Sequence, residues 1–125
     1  IKNNKADMIM TAHVYNKNLD KNYPATLSYN INTNLLRYKL GFEGVLISDD
    51  LQMYAISKHY DLKQTLTLAI NSGVNMLLFA NQLAKPVTLK QIVDIVYSQI
   101  LGEEIALETI INANKKIDNL LAKYK

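Results

Sequence analysis

Three short apolar runs, separated by stretches of helical periodicity, constrain the fold of this chain more than any other feature. The runs are ADMIMTAHV (6–14), GVLISDD (44–50) and VNMLLFAN (74–81). Each is almost continuously apolar, which is typical of parallel strands that are covered on both faces. Strands that alternate with helices predict a parallel sheet with right-handed crossovers. We therefore predict an α/β fold with the element order β-α-β-α-β-α-α.

The helices of this pattern have recognisable starts and stops. Ser28 is a predicted N-cap, and Gly41 a predicted stop, for a helix whose apolar positions recur at Ile31, Leu35, Leu36 and Leu40. Asp61 and Gly73 do the same for the next helix, with a buried stripe at Leu62, Leu66, Ala69 and Ile70. Two more helices are predicted over residues 89–100 and 104–124, divided by Gly102.

Composition excludes several classes of function. The net charge of +3 comes from lysines spread along the chain, so neither a nucleic acid nor a membrane surface is expected as a partner. The absence of cysteine removes disulfides, thiolate metal sites and a cysteine nucleophile. No run approaches the roughly 18 apolar residues that cross a bilayer. Ile1 is neither an initiator methionine nor the start of a signal peptide, which suggests a trimmed, tagged or incomplete chain.

Polar residues follow the first two apolar runs, at the end of the sheet where ligands bind in such folds. His13 closes the first run, and Asp49 and Asp50 close the second. Because side chains alternate along a strand, Asp49 shares a face with Ile47 while Asp50 takes the other face. Only one aspartate can therefore face a given pocket. The residues alone leave open whether the pair is catalytic or consists of one helix cap and one solvated carboxylate.

Neighbouring parallel strands, about 4.8 Å apart, would bring His13 and Asp49 to the same rim. A lone histidine is commonly a structural residue, so its role also stays open. One histidine and two carboxylates are ligand types that suit a divalent ion, but no HxH or HExxH spacing occurs. We therefore predict no metal and no cofactor. Ser48 lacks the glycine elbow of a hydrolase nucleophile.

Three further features allow two readings each. The segment 15–27 is either a lid or binding loop, or a solvated connection. Arg37, the sole arginine, either pairs with a strand-end carboxylate or is an exposed helical residue. Met53, one turn past the aspartates, is most simply a packing residue, although we also include it among the predicted substrate-binding residues.

A family resemblance adds what spacing cannot. IMTAHV, YPATLS, LLRYKLGFEGVLISDDLQMYAI and AINSGVNMLLFAN resemble the later part of the barrel of glycoside hydrolase family 3, specifically its bacterial β-N-acetylhexosaminidases. The likeness runs from about Ala6 to Asn81, with a weaker echo from Leu107 to Lys123. It implies a retaining mechanism without a cofactor, in which a carboxylate attacks the anomeric carbon of a terminal β-linked N-acetylglucosamine.

The resemblance also assigns roles. Asp49, directly after the serine of the SD motif, is the implied nucleophile, and Asp50 is a supporting residue. His13 is implied to position substrate at the barrel mouth, with holding of the 15–27 loop as its alternative role. His13, Asp50 and Met53 are thus the predicted substrate-binding residues. The implied substrate is an N-acetylglucosamine-containing oligosaccharide from peptidoglycan or chitin, and the implied location is the bacterial cytoplasm.

The chain departs from the family in extent. A (β/α)8 barrel takes about 250 residues, whereas this chain supplies three strands, so residues 1–125 are interpreted as one partial domain: the last three βα units and the closing helices. The family's upstream loop resembling KHFPGHG, which holds the acid/base histidine, has no match here. Three units would leave strand edges and an apolar face uncovered, which predicts association with the N-terminal half of the barrel or with another copy.

Two alternatives to a hexosaminidase follow from the same departure. In the first, the chain is an inactive truncated remnant. In the second, it is a phosphosugar-binding domain that uses the Gln82–Pro86 loop, since barrel loops after the last strands often bind phosphate. That loop lacks glycine-rich donors, which argues against the second alternative.

Overall fold

The computed structural model, which describes residues 6–82 and 85–125, contains a three-stranded parallel sheet. The strands are β1 (Met8–Met10), β2 (Val45–Asp50) and β3 (Met76–Leu78), in the order β1-β2-β3. The predicted parallel sheet is confirmed. The first and third strands are shorter than the apolar runs that predicted them. Among residues 6–82 and 85–125, β1 and β3 each pair with β2 alone, whereas β2 is paired on both sides.

The helices follow the strands as predicted, and the structure adds two short ones, a 3-10 helix and the first α-helix. A 3-10 helix covers Ala25–Leu27, and a π-helix covers Asn30–Lys39. The α-helices are α1 (Tyr54–Ser57), α2 (Leu62–Ser72), α3 (Leu89–Leu101) and α4 (Leu107–Ala122). The 3-10 helix and α1 were not predicted because each is too short to show helical periodicity.

The first long helix has the predicted ends but not the predicted winding. The Ser28 hydroxyl accepts a hydrogen bond from the N–H of Ile31 (3.1 Å), and Gly41 ends the helix at a φ of +69°. Between them the hydrogen bonds have π-helical spacing. The predicted apolar stripe is accordingly only half-buried or exposed. The residue of this helix that is buried is Asn32, whose side-chain amide donates to Thr26 O and Ser72 Oγ.

Helix α2 matches its prediction closely. Asp61 accepts the N–H of Gln64 (2.8 Å), and Gln64 in turn accepts the N–H of Asp61 (3.1 Å), which forms a capping box. Leu66 and Ala69 are fully buried. Gly73 ends the helix with a φ of +104°, a left-handed conformation that glycine adopts without a steric penalty.

The last two helices are separated as predicted, but the residue with the left-handed backbone follows Gly102 by one position. Gly102 has an ordinary φ of −82°, and Glu103 takes the left-handed conformation with a φ of +62°. Helix α4 begins at Leu107, three residues later than its predicted start. No helix within residues 6–82 and 85–125 is both long and apolar enough to cross a bilayer.

The sheet packs its helices on one face and leaves much of the other face open. Leu46 on β2 is fully buried, as are Ile56, Leu66 and Ala69 from α1 and α2. On the opposite face, Met8 and Met10 of β1 are 40% and 54% exposed. The register places Met10 beside Ile47, and Ile47 beside Met76, so the open face is a strip of apolar side chains.

Candidate active site

The two adjacent aspartates at the carboxyl end of β2 have different surroundings. Asp50 is 6% exposed, whereas Asp49 is only half-buried. The pairing of β2 with β3 shifts register between Ile47 and Asp50, which brackets Asp49. Irregularities of this kind are common beside active sites, where they re-aim a side chain. The prediction that the two carboxylates point to different environments agrees with this difference in burial.

Asp50 holds the ends of two strands together. Its Oδ1 accepts the N–H of Gln52 (3.1 Å) and the N–H of Ala80 (3.2 Å), which follows β3. A buried carboxylate needs such donors because it has lost its water. The carboxylate of Asp50 is thus bound to the main chain of its own loop and of the next one.

Asp49 has one oxygen engaged and one available. Its Oδ1 accepts the N–H of Asp50 (2.8 Å), and within the part of the chain that the structure describes this is the hydrogen bond its side chain makes. The bond fixes the carboxylate relative to the main chain of the following residue. Oδ2 is left at the half-exposed carboxyl end of the central strand, where a ligand of this fold class would bind.

His13 does not contact either carboxylate. Its Nε2 donates to the carbonyl oxygen of Asp50 (2.8 Å), and its Nδ1 lies 2.9 Å from the hydroxyl of Thr26. The hydroxyl of Thr26 is also 2.8 Å from that of Thr11. The expected closeness of β1 and β2 at this rim is therefore realised through the main chain of Asp50.

Gln52 and Asn81 lie beside the candidate site, and sequence reasoning did not single them out. The buried amide of Gln52 accepts the N–H of Asn81 (2.7 Å) and donates to Lys85 O (3.2 Å). Asn81, with a φ of +54°, exchanges two further hydrogen bonds with the main chain of Val87. The signal for Gln52 in the sequence was its place as a polar residue between Leu51 and Met53, directly after the aspartates. These amides bind the main chain of the loop that follows β3.

The segment 15–27 is an ordered connection. Asp20 is buried and accepts hydrogen bonds from Ser28 Oγ (2.5 Å) and from the N–H groups of Asn22 and Tyr23. Burial by itself would raise the pKa of Asp20, but these hydrogen bonds together lower it below its ordinary value. The buried carboxylate of Asp20 therefore holds the middle of this segment to Ser28, directly after its end.

Met53 is half-buried and directly precedes α1; its N–H donates to Asp50 O (3.0 Å).

Arg37 takes neither of its two expected roles. Its guanidinium donates to the carbonyls of Phe42 (3.1 Å) and Gly44 (2.5 Å) and to Asn75 Oδ1 (2.7 Å). Burial lowers the pKa of Arg37 from its usual value. Arg37 therefore connects the loops that precede β2 and β3, at the opposite end of the strands from the aspartates.

The metal and phosphate alternatives concern the side chains around the aspartates and the loop that follows β3. Within the described ranges no three His, Asp or Glu side chains cluster as a metal site would require. The Gln82–Pro86 loop, weighed for phosphate binding, includes Leu83 and Ala84, which lie outside the described residues. Ser48, fully buried, accepts the N–H of Leu78 (2.9 Å) and bridges β2 and β3.

A parallel sheet that carries helices on one face, with the half-buried carboxylate of Asp49 at the end of its central strand, has the architecture of the α/β class, in which ligands bind at strand ends. Comparison with known families is more specific. Residues 1–120 match the family model described as "Glycosyl hydrolase family 3 N terminal domain". The chain belongs to glycoside hydrolase family 3.

Curated relatives are similar to part of the chain. A protein named beta-hexosaminidase A, from Pseudoalteromonas piscicida, is 37% identical over 89 residues, which cover 62% of this chain and 15% of that protein. A beta-hexosaminidase from Methylobacillus flagellatus is 42% identical over 74 residues, covering 59% and 21%. The aligned part of the chain therefore spans less than a quarter of the length of either relative.

Solved structures extend the likeness to most of the chain. The β-N-acetylglucosaminidase from Thermotoga maritima superposes with a TM-score of 0.83 at 30% identity, covering 92% of this chain and 25% of that one. A family 3 β-N-acetylglucosaminidase from Paenibacillus gives the same TM-score at 30% identity, with coverage of 95% and 22%. The α/β fold with parallel strands is thus that of a family 3 N-terminal domain.

Proposed function

We propose that this chain supplies the nucleophile of a retaining β-N-acetylglucosaminidase, and that the nucleophile is Asp49. The observation that carries the proposal is the division between neighbours at the end of β2. Asp50 is buried and binds two main-chain donors through its Oδ1, whereas Asp49 is half-buried and its Oδ2 has no hydrogen bond among the described residues, at the rim where ligands of this fold class bind.

The chemistry follows from that division. Oδ2 of Asp49 attacks the anomeric carbon, the bond to the leaving oxygen breaks, and a glycosyl ester forms. An acid protonates the leaving oxygen, and the same group then removes a proton from the water that cleaves the ester. Oδ1 keeps its hydrogen bond from the N–H of Asp50 throughout, which holds the carboxylate still.

The acid/base group comes, in this proposal, from polypeptide that completes the sheet. We interpret residues 1–125 as the last three βα units of a (β/α)8 barrel with its closing helices. The open apolar strip that includes Met10, Ile47 and Met76 supports this interpretation, because such a surface is ordinarily covered. The chain together with the polypeptide that covers this strip, either an N-terminal half or another copy, is called the assembled barrel below.

Within the assembled barrel, Met53 is proposed to line the sugar pocket and Asp50 to support it through the loop after β3. The proposed substrates are oligosaccharides with a terminal β-linked N-acetylglucosamine, of the kind released from peptidoglycan or chitin. Similarity to proteins named as beta-hexosaminidases and β-N-acetylglucosaminidases supports this choice of sugar.

The test is rescue of a nucleophile variant. Asp49→Ala in the assembled barrel should lower hydrolysis of an aryl β-N-acetylglucosaminide by at least about 1,000-fold, and sodium azide should restore consumption of an activated aryl substrate while forming the α-glycosyl azide. The inverted product arises because azide attacks from the side that the missing carboxylate has vacated. Asp50→Asn is the matched control and should retain measurable hydrolysis without azide. A near-normal rate for Asp49→Ala would overturn the proposal.

One alternative has an observation in its favour. The loop resembling KHFPGHG, which holds the acid/base histidine in the family, has no match in this sequence, and glycosidic cleavage requires a second catalytic group beside the nucleophile. An inactive remnant would fit that arrangement. Incubation of the 125-residue chain alone and of the assembled barrel with the same aryl substrate separates the two cases: hydrolysis by the assembled barrel rejects the remnant, and no hydrolysis by either supports it.

A further inference from the structure

The imidazole of His13 is fully engaged by the protein. Nε2 donates to Asp50 O at 2.8 Å, and Nδ1 is 2.9 Å from Thr26 Oγ1. A carbonyl oxygen can only accept, so Nε2 must carry a proton. In the neutral ring, Nδ1 then accepts from the hydroxyl of Thr26, and Thr26 accepts from Thr11. Neither ring nitrogen is left to bind a sugar hydroxyl.

Thr26 is the fixed point of this arrangement. It is fully buried, and its carbonyl oxygen accepts hydrogen bonds from Asn32 Nδ2 (3.2 Å) and Ser72 Oγ (3.1 Å). These partners belong to the π-helix and to the end of α2. The hydroxyl that orients His13 is therefore anchored in the helical layer, where motion is restricted by packing.

The main chain of Asp50 links His13 to the proposed nucleophile. The carbonyl of Asp50 is held by His13 and by the N–H of Met53, and its N–H donates to Asp49 Oδ1. Rotation of the peptide groups on either side of Asp50 would therefore move the donor that orients the Asp49 carboxylate. The ring of His13 opposes such rotation.

We propose that His13 is a positioning residue, supported by Thr26, which aims the carboxylate of Asp49 through the main chain of Asp50. The proposal rests on the function proposed above. It assigns to His13 an action through protein groups in place of the direct substrate contact that the sequence suggested. Thr26 becomes a site residue although it is fully buried and cannot touch substrate.

The experiment is a double-mutant cycle in the assembled barrel with His13→Ala and Thr26→Val. Each variant should lower kcat about 10- to 100-fold, because small displacements of a reacting group are costly, and should change KM by less than about threefold. The double variant should lower kcat no further than His13→Ala alone, since both act on the same contact. Thr26→Ser keeps the hydroxyl and should recover most of the loss seen in Thr26→Val.

Thr33→Val is the matched control. It removes a threonine hydroxyl that donates to Ser72 O (2.8 Å) outside the His13 contact, so stability should fall while kcat and KM stay at their wild-type values. A role of His13 in direct sugar binding would instead raise KM, or the Ki for N-acetylglucosamine, in His13→Ala and leave Thr26→Val unaffected. That result, or full additivity in the cycle, would overturn the proposal.

A second readout does not depend on activity. In ¹⁵N-labelled protein, long-range ¹H–¹⁵N spectra of the assembled barrel should show His13 with its proton on Nε2 in the wild type, and a loss of that fixed state in Thr26→Val. A proton on Nδ1 alone would contradict the geometry. Failure of the proposed function itself would appear differently, as an unchanged rate in Asp49→Ala with the His13 spectrum intact.

Discussion

Replacement of each of the two adjacent aspartates should have opposite consequences for stability and activity. Asp50→Ala would leave the N–H groups of Gln52 and Ala80 without their acceptor at a position that is 6% exposed. An unsatisfied buried donor costs about 1–3 kcal/mol, which gives roughly 2–6 kcal/mol for two. Both hydrogen bonds, at 3.1 and 3.2 Å, lie at the long end of the normal range, so we expect the lower half, about 2–4 kcal/mol.

The conservative variants sharpen the comparison. Asp50→Asn keeps an acceptor oxygen but loses the charge that makes such bonds about twice as strong, so it should cost about 1–2 kcal/mol. Asp49→Asn alters a half-exposed group with one local hydrogen bond and should change the free energy of unfolding by less than about 0.5 kcal/mol. In activity we expect the reverse order, because Asp49→Asn removes the proposed nucleophile.

Urea unfolding followed by circular dichroism measures the first quantity, with the slope of the transition compared among variants to verify that the same surface unfolds. Hydrolysis of an aryl β-N-acetylglucosaminide by the assembled barrel measures the second. The reasoning is refuted if Asp49→Asn destabilises the protein as much as Asp50→Ala, since Asp49 would then be the structural member of the pair.

Two further predictions concern the frame of the site. Gly73→Ala should destabilise the chain by more than about 1 kcal/mol, because the φ of +104° is unfavourable for alanine and the new Cβ would lie 2.6 Å from Thr33 Oγ1; Gly102→Ala, at an ordinary φ of −82°, is the matched control, and equal losses in thermal unfolding would contradict the argument. The hydrogen bond from Lys123 lowers the pKa of Asp7, so the stabilisation that links α4 to the start of β1 is present above the ordinary carboxyl pKa and is lost as the pH falls through the lowered value. Hydrogen-exchange protection factors at the end of α4, which correct for the pH dependence of intrinsic exchange, should accordingly fall below about pH 4 in the wild type. Lys123→Ala should weaken that dependence, while the hydrogen bond from the Tyr124 hydroxyl to Asp7 remains.

Periodicity and capping residues predicted the frame of the fold. The three apolar runs became the three strands, and Asp61 and Gly73 bound α2 as expected, because these signals are local and carry their own hydrogen bonds. The π-helix was not predictable in the same way. Its buried residue, Asn32, donates hydrogen bonds to Thr26 O and Ser72 Oγ, and these two partners are far apart in the sequence.

The positions of the candidate site residues were predictable where they follow from strand order, and their contacts were missed where they depend on main-chain partners. Alternation along β2 separated Asp49 from Asp50 correctly in burial. The Thr26–His13 contact, like the loop-binding amide of Gln52, joins residues from different loops, and a threonine or glutamine gives no sign in sequence of which carbonyl it will meet. The role of His13 therefore needed three-dimensional geometry to be stated.

Covalent trapping tests the central claim most directly. A 5-fluoro N-acetylglucosaminyl fluoride slows hydrolysis of the glycosyl ester more than its formation, so incubation with the assembled barrel should accumulate a labelled enzyme. Proteolysis and tandem mass spectrometry of the peptide that contains residues 44–53 should then place the sugar on Asp49. A label on Asp50, or on a residue outside this chain, would contradict the account.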